Sequence, residues 1–234
     1  MSRISVLVAG ALLSLTSVAA SAGIIGLSGS EDLVPVPADL TLDEFTSPLA
    51  QFMVERVDTT LSQTLDLDIT TAGTYSDGGA ANPMPVPFTP GTLEAGLAVD
   101  SFLMHYNPSP ESQPAVVTGS ITFDTPILGI ITGNDPAWWV DPGKSQLTLS
   151  DPIVGNPTTL YGTVLGREIF DQVGAPDIVT LSADYRTVSF QSSVDGMFDE
   201  FRIITAVAVP EPTTLWLFAL GLPGVGLLRR RSRA

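Results

Sequence analysis

The 234-residue sequence contains no cysteine and a single histidine, His105. Without cysteine the chain can form neither disulfides nor thiolate metal sites, and it has no thiol nucleophile. One imidazole is too few for any site that needs two histidines from one chain. We expect His105 to be a packed or solvated histidine near the end of a strand.

Basic residues are scarce outside the two ends of the chain. Residues 23–209 contain five basic and 24 acidic residues, a net charge of −19. Such a surface repels phosphate backbones, so we expect no nucleic-acid partner. The charge is typical of a solvated acidic exterior, and it would also suit metal cations or a polar carbohydrate matrix.

Two familiar site patterns are also missing. A G-x-S-x-G nucleophile elbow does not occur, because Gly26-Leu27-Ser28-Gly29 has the wrong spacing. The clusters of acidic residues around Asp135 and Asp199 do not follow the spacing of an EF-hand calcium-binding loop. We therefore expect a non-enzymatic protein, although a hydrolase that needs only two carboxylates stays open.

Residues 1–22 have the features of a secretory signal peptide. Arg3 gives the segment a positive start, residues 4–18 are apolar, and Ala20-Ser21-Ala22 forms an A-x-A cleavage site. The pattern predicts export through the Sec translocon and a mature protein that begins at Gly23.

The carboxyl end, residues 209–234, has three parts in order. The motif segment 209–212, which is Val209 followed by Pro210-Glu211-Pro212, comes before an apolar stretch at 213–228 and a basic end at 229–234. As a helix, the stretch would be about 24 Å long, which is short for a hydrocarbon core of about 30 Å. The basic end should stay cytoplasmic. We expect a C-terminal transmembrane helix that is short for a permanent anchor.

This tail resembles the PEP-CTERM sorting signal. The resemblance implies an exported protein of a Gram-negative bacterium that is held briefly in the inner membrane by a C-terminal transmembrane sorting helix and is processed by an exosortase. Its implied destination is the cell surface or an extracellular matrix containing exopolysaccharide. The resemblance also implies that Pro210, Glu211 and Pro212 form the recognition motif. The membrane-retention element would be the basic end, with Arg229, Arg230, Arg231 and Arg233. Parts of the body, such as SFLMHYNP and MFDEFRIIT, resemble a recurring region of PEP-CTERM proteins with no established activity.

The body of the chain is rich in Thr, Val, Ile, Gly and Pro, which favours strands and turns. Residues 63–70 alternate apolar and acidic positions and predict a half-buried strand. Further strands are predicted at 97–106, 115–123, 127–132, 146–149, 159–165, 177–182, 185–190 and 198–208. The strands 115–123 and 127–132 are expected to pair, and the one helix candidate is 40–57, interrupted by Pro48.

The predicted fold is all-β, an antiparallel β-sandwich of jelly-roll-like or immunoglobulin-like type. We expect a flexible mature N-terminus at 23–37 and one β-sandwich domain at 38–208. Residues 76–91 are expected to form a long surface loop within that domain. The sorting tail follows at 209–234.

Trp138 and Trp139 are the most suggestive pair for a binding site. Adjacent residues of an extended chain point to opposite faces, so one ring can pack while the other is exposed. An exposed tryptophan beside Asp135 and Asp141 would resemble a sugar-stacking platform. The alternative is that both rings pack beneath their loop.

Calcium is the ion that the acidic turns would suit, because it prefers oxygen ligands. The candidate clusters are Asn134, Asp135 and Asp141, and Asp195, Asp199 and Glu200. The alternative is that these side chains are solvated turn acids. Apart from calcium, we expect no cofactor.

These features favour a non-enzymatic surface or matrix protein associated with exopolysaccharide or biofilm. A carbohydrate-binding module of the same architecture is the first alternative. An exported hydrolase is the second.

Overall fold

A computed structural model describes residues 23–41, 45–109, 115–133, 146–162, 167, 169–170, 174–194 and 198–208. These residues belong to one compact unit, Ser21–Ala208. The predicted signal peptide and sorting tail lie outside the described residues.

The described residues form fourteen strands and one helix. In chain order the strands are β1 (Ile24–Gly29), β2 (Glu31–Leu33), β3 (Asp39–Leu40), β4 (Ala50–Thr60), β5 (Leu65–Leu67), β6 (Gly73–Ser76), β7 (Gly91–Leu93), β8 (Ala98–Tyr106), β9 (Ala115–Phe123), β10 (Ile127–Ile131), β11 (Leu160–Tyr161), β12 (Ile178–Leu181), β13 (Thr187–Val194) and β14 (Asp199–Ala206). The helix α1 (Gln146–Val154) lies between β10 and β11. In the part of the chain that the structure describes, no helix has the length and hydrophobicity needed to cross a membrane.

Ten of the strands build two five-stranded sheets. Sheet I has the strand order β1-β9-β13-β12-β6, and sheet II has the order β10-β14-β8-β4-β2. Neighbouring strands run antiparallel, except that β2 runs parallel to β4. The prediction of a mainly antiparallel β protein is therefore confirmed.

The two sheets share an apolar core. Sheet I contributes side chains such as Ile121 and Phe190, and sheet II contributes Phe52 and Phe201. The ring of Phe190 meets those of Phe52 and Phe201 edge to face, with 5.7 Å between centroids in each pair. Aromatic rings in such edge-on contacts add stability beyond the area that they bury.

The other face of sheet II is covered by a further layer. A second apolar cluster joins Met53 and Leu103 of sheet II to Leu147 of α1 and to Tyr161 of β11. As a result β8 is buried on both faces, and eight of its nine residues are buried. A strand covered on both faces carries no clean apolar–polar alternation.

Several predicted strands are confirmed. The residues of β5 alternate as predicted, with Leu65 and Leu67 buried and Asp66 exposed. The predicted strands 177–182 and 185–190 contain β12 and most of β13, which pair as a hairpin. The long final strand is β14.

The predicted flexible N-terminus at 23–37 is wrong. β1 pairs with β9 in sheet I, and β2 pairs with β4 in sheet II. The segment supplies an edge strand to each sheet, and its backbone hydrogen bonds are satisfied by these pairings. Composition alone does not reveal such pairings.

Two further predictions of local structure are wrong. Residues 146–149 open α1, because Leu147, Ser150, Ile153 and Val154 are buried at helical spacing. The helix candidate at 40–57 fails because its second half lies in β4, where Phe52 and Met53 pack into the two different cores. Burial on both faces overrides the local helical pattern.

The predicted pairing of 115–123 with 127–132 is also wrong, although both strands exist. β9 pairs with β1 and β13 in sheet I, whereas β10 pairs with β14 in sheet II. Residues 124–126 thus carry the chain from one sheet to the other instead of closing a hairpin.

Candidate functional site

Arg202 of β14 lies within a buried group of charges on the covered face of sheet II. Its Nε and Nη2 donate to the two carboxylate oxygens of Glu55 over 2.6 and 2.8 Å. Nη2 also donates to Asp151 Oδ1 of α1 over 2.9 Å, and Nη1 donates to the hydroxyl of Ser150. Two parallel bonds from one guanidinium to one carboxylate fix both the distance and the orientation of the pair.

Arg167 continues this group from the segment that follows β11. Its Nε donates to Glu200 Oε2 over 2.6 Å, and Nη1 donates to Asp151 Oδ2 over 2.7 Å and to the Gly162 carbonyl over 3.1 Å. Asp151 therefore accepts from both guanidinium groups. Its negative charge between two positive charges offsets their mutual repulsion.

His105 of β8 ends the series of ion pairs. Its Nδ1 lies 2.8 Å from Glu200 Oε1, and its ring lies near those of Phe45 and Phe198, with centroids 6.0 and 5.2 Å away. Within the described residues its Nε2 has no hydrogen-bond partner. The histidine is fully buried.

Tyr161 of β11 lies in the layer that covers sheet II, and it completes this group of side chains. Its hydroxyl donates to Glu55 Oε1 over 2.5 Å, and the guanidinium carbons of Arg167 and Arg202 lie 5.4 and 5.6 Å from the centre of its ring. Burial and the Glu55 carboxylate raise the pKa of Tyr161 well above its ordinary value. The phenol therefore stays protonated and remains a donor. These side chains are called the ion cluster below: Glu55, His105, Asp151, Tyr161, Arg167, Glu200 and Arg202.

Electrostatics keep Glu200 and both arginines of the ion cluster charged. Burial acts to raise the pKa of Glu200, but the charge of Arg167 and the hydrogen bond from His105 outweigh it and hold that pKa below its ordinary value. Burial acts to lower the pKa of Arg167 and Arg202, but the neighbouring carboxylates raise it. The cluster is a network in which opposite charges compensate the loss of water.

The ion cluster is arranged to hold elements of the fold together. Each of its three carboxylates is engaged by a guanidinium group, and the most exposed side chain among its ion pairs, Asp151, is only 14% exposed. A substrate would have to break these pairs to reach a carboxylate. The geometry therefore supports a role in joining sheet II to α1 and β11.

A cavity of about 420 Å³ opens beside the ion cluster, between β5 and α1. Its lining mixes polar and apolar side chains, which are Gln63, Thr64, Leu65, Asp66, Gln146, Leu149, Ser150 and Ile153. Ser150, which accepts from Arg202, borders both the cavity and the cluster.

The outer face of sheet I has a different chemistry. None of the residues in its five strands is charged. The strand register aligns hydroxyl side chains in one row across the whole sheet, and in the order of its strands they are Ser28, Ser120, Ser189, Thr180 and Thr74. With about 4.8 Å between strands, this hydroxyl row is about 19 Å long.

Adjacent rows extend the surface. The hydroxyls of Thr122 and Thr187 lie 3.0 Å apart, and Thr118 pairs with Gln191 on the other side of the row. The intervening residues of β9 and β13 lie in the core, so strand alternation directs these polar side chains outward. The hydroxyl row together with Thr118, Thr122, Thr187 and Gln191 is called the hydroxyl face below.

Most of the site residues predicted from sequence lie outside the described residues. They are the cleavage residues Ala20 and Ala22, the proposed glycan-binding residues Asp135, Trp138, Trp139 and Asp141, the motif Pro210, Glu211 and Pro212, and the basic end Arg229, Arg230, Arg231 and Arg233. Gly23 is described, and its amide donates to Asp124 Oδ1 over 2.8 Å.

The calcium cluster predicted around Asp199 and Glu200 does not form between these two residues. They are adjacent in β14 and serve different partners, because Asp199 accepts from the hydroxyl of Ser192 whereas Glu200 belongs to the ion cluster. Adjacent strand residues point to opposite faces and cannot share one ion. Among the described residues, no group of three acidic or histidine side chains is placed to hold a metal. Asp195 and the other predicted cluster lie outside the described residues.

Sequence reasoning missed the ion cluster. The available signal was Arg202, a lone arginine between Phe201 and Ile203 in a predicted strand. An arginine flanked by apolar residues on a buried strand requires an acidic partner. The partners could not be read from the sequence, because Glu55 lies 147 positions away.

Comparison with known proteins adds one finding about the tail. Residues 208–232 match the family model of the PEP-CTERM protein-sorting motif. No curated protein and no solved structure matches the chain. The motif implies export, a membrane-anchored sorting intermediate and processing by an exosortase. The chain thus carries a PEP-CTERM protein-sorting motif at residues 208–232.

Proposed function

We propose that the protein is a non-enzymatic component of the cell surface or extracellular matrix, and that its hydroxyl face contacts a neutral exopolysaccharide. The sorting motif supports the exported location. The observation that carries the proposed contact is the uncharged hydroxyl face of sheet I.

Hydroxyl and amide side chains suit a sugar polymer because they both donate and accept hydrogen bonds. Contacts between uncharged groups avoid the large cost of removing an ion from water. A row of about 19 Å offers many weak contacts in series along a polymer chain. Because the rest of the body is strongly acidic, an anionic polysaccharide would be repelled, so a neutral one is favoured.

Binding of exopolysaccharide tests this proposal. The protein, purified from its own cells, should co-sediment with neutral exopolysaccharide of the same bacterium. The double variant Thr118→Glu/Ser189→Glu places two charges on exposed positions of the hydroxyl face and should weaken binding at least tenfold. The control Ser62→Glu/Gln63→Glu, at exposed positions away from that face, should bind as the wild type does. Equal binding by both variants would contradict the proposal.

Processing is tested separately by intact mass. In wild-type cells we expect a mature form that starts at Gly23 and ends near Pro210–Pro212, after passage through the Sec translocon and a transient stay in the inner membrane. A strain without the exosortase should retain residues 213–234. Retention of the tail in both strains would instead indicate a permanent anchor, and the matrix location would then lose its support.

A carbohydrate-binding module that uses the tryptophan pair is the second candidate. The adjacent Trp138 and Trp139, near Asp135 and Asp141, favour it. Loss of binding in Trp138→Ala and Trp139→Ala, with normal binding by the hydroxyl-face variant, would support this candidate over the first. Turnover on a panel of glycosides and esters would instead support an exported hydrolase.

A further inference from the structure

The first described residue of the chain is held by two hydrogen bonds to one partner. The amide nitrogen of Gly23 donates to Asp124 Oδ1 over 2.8 Å, and the amide of Asp124 donates to the Gly23 carbonyl over 3.0 Å. Asp124 lies at the crossing from β9 to β10, and its own carbonyl accepts from the Arg186 guanidinium. A carboxylate on a fixed piece of backbone therefore faces the nitrogen of Gly23.

This nitrogen is also the atom that predicted processing would expose. Hydrolysis of the Ala22–Gly23 bond adds one water, which leaves a carboxyl group on Ala22 and an amino group on Gly23. The amino group takes up a proton at neutral pH and becomes an ammonium group with three donors. The cleavage site was located from the A-x-A pattern alone, whereas the Asp124 contact comes from the fold, so the two observations are independent.

We infer that Asp124 is a binding site for the mature α-amino group, so that signal-peptide cleavage creates an ion pair that fastens β1 to sheet I. The space at Gly23 is tight, because a Cβ there would lie 3.0 Å from Asp124 Oδ2. Among the described residues, the charged groups linked to this corner by hydrogen bonds are Arg186, on the Asp124 carbonyl, and Asp184, whose carboxylate accepts from the Arg186 amide. Asp124 is the carboxylate in hydrogen-bonding contact with Gly23.

Fastening β1 has a consequence for sheet I. β1 is an edge strand, and it contributes the first hydroxyl of the hydroxyl row, Ser28. An edge strand is held by hydrogen bonds on one side only. An ion pair at its first residue limits fraying at the end where the chain begins.

The scarcity of lysine makes this inference directly testable. Lys144 is the only lysine in the sequence, so a Lys144→Arg variant leaves the α-amino group as the sole primary amine. The variant, processed in its own cells, is first checked for a Gly23 start by N-terminal sequencing. The pKa of the amine is then measured from the pH dependence of its acylation rate, followed by intact mass.

With Asp124 present, the pKa should lie above the ordinary value for an α-amino group, which is about 7.7–8.0. In Lys144→Arg/Asp124→Asn it should fall by about 0.2–0.7 of a pH unit, which is the size expected for an exposed ion pair. Equal values in the two proteins would overturn the inference. A mature terminus at any residue other than Gly23 would overturn it as well.

A second variant covers the case in which Asp124→Asn does not fold. Insertion of Thr-Gln between Ala22 and Gly23 keeps the A-x-A site, adds no second one, and moves the new ammonium group two residues away from Asp124. The Gly23 amide is kept, so the strand can still pair with β9. The amine of this variant should have the ordinary pKa, and an unchanged raised value would contradict the inference. Neither measurement depends on polysaccharide binding.

Discussion

Arg167 and Arg202 are charged side chains that lie almost entirely out of water, with exposed fractions of 1% and 0%. An ion that loses its hydration is stabilised in a fold only by partners held at close range. Glu55, Asp151 and Glu200 supply those partners over distances of 2.6–2.9 Å. Loss of one partner therefore leaves an opposite charge buried and uncompensated.

Replacement of Arg202 tests this reasoning. We expect Arg202→Met to lower the free energy of unfolding by about 3–5 kcal/mol, because Glu55 is left buried without its cation. The double variant Glu55→Met/Arg202→Met should regain part of that loss, since no isolated charge then remains at this pair. The control Arg186→Met, at a partly exposed position in the turn between β12 and β13, should change stability by no more than about 1 kcal/mol. Urea denaturation measures the free energy of unfolding of all three variants. If Arg202→Met loses less stability than Arg186→Met, Arg202 has no role in stability.

The raised pKa of Tyr161 predicts a specific loss of stability in alkali. The unfolded chain releases the phenolic proton near the ordinary pKa of about 10, whereas the folded protein retains it. The stabilisation is complete below pH 10 and is lost as the pH rises above that value. Tyr161→Phe removes this dependence, so its stability should fall less steeply between pH 9.5 and 11 than that of the wild type. Parallel slopes in thermal unfolding would show that Tyr161 does not cause the effect.

At the scale of elements, the chain moves between the two sheets at short crossings. One of them joins β1 of sheet I to β2 of sheet II through Gly29 and Ser30. Gly29 has φ of 122°, and a Cβ there would lie 2.5 Å from the Thr118 carbonyl oxygen. Glycine is required at this crossing both by its backbone conformation and by the close approach of β9.

Gly96 provides a matched control for this crossing. It also has a positive φ, 90°, but a Cβ there would meet nothing within 4 Å. We expect Gly96→Ala to cost about 1–2 kcal/mol through backbone strain alone. Gly29→Ala should cost about 1–3 kcal/mol more, because its Cβ also clashes with β9. If both variants lose the same stability in chemical denaturation, the close contact with Thr118 is not significant.

The elements that the sequence predicts correctly are those whose information is local. β5 and the β12–β13 hairpin have clear alternation or a short turn, and both are found. Residues 146–149 fit a two-residue period through Leu147 and Leu149, which predicts a strand, and the helical spacing of α1 appears only once Ile153 and Val154 are included. Pairing between distant strands, such as β9 with β1, has no local signal at all.

For the candidate sites too, only local information could be read from the sequence. The tail motif is contiguous, so its residues were predicted and its match is confirmed. The ion cluster joins β4, β8, α1, β11 and β14, and the hydroxyl row takes one residue from each of five strands. Both depend on strand order and register, which a single sequence does not specify.

At the scale of the whole molecule, the charge is distributed unevenly. Sheet I has no charge in its strands, and several charges of sheet II are buried in the ion cluster. Residues 23–209 contain 24 acidic residues and five basic ones, and two of the basic residues belong to the ion cluster, so acidic side chains greatly outnumber the remaining basic ones. Their mutual repulsion opposes the compact state.

This repulsion predicts a response to salt. Raising the ionic strength from 0.01 to 0.15 M shortens the screening length from about 30 Å to about 8 Å. The melting temperature of the processed protein should therefore rise across this range at pH 7. Calorimetry with sodium chloride checks the effect, and a second series with a neutral osmolyte separates screening from general exclusion at the protein surface. A falling melting temperature would show that attractive surface pairs dominate instead.

The place of β14 in sheet II also sets an order of events in time. β14 lies between β10 and β8, yet it is the last of the described strands and ends at Ala206, just before the sorting motif. A chain that crosses a membrane amino end first delivers this strand after all the others. Until the motif itself has reached the membrane, sheet II lacks the strand between β10 and β8, and Arg202 cannot pair with Glu55. Completion of the fold and arrival of the sorting signal are thus nearly simultaneous.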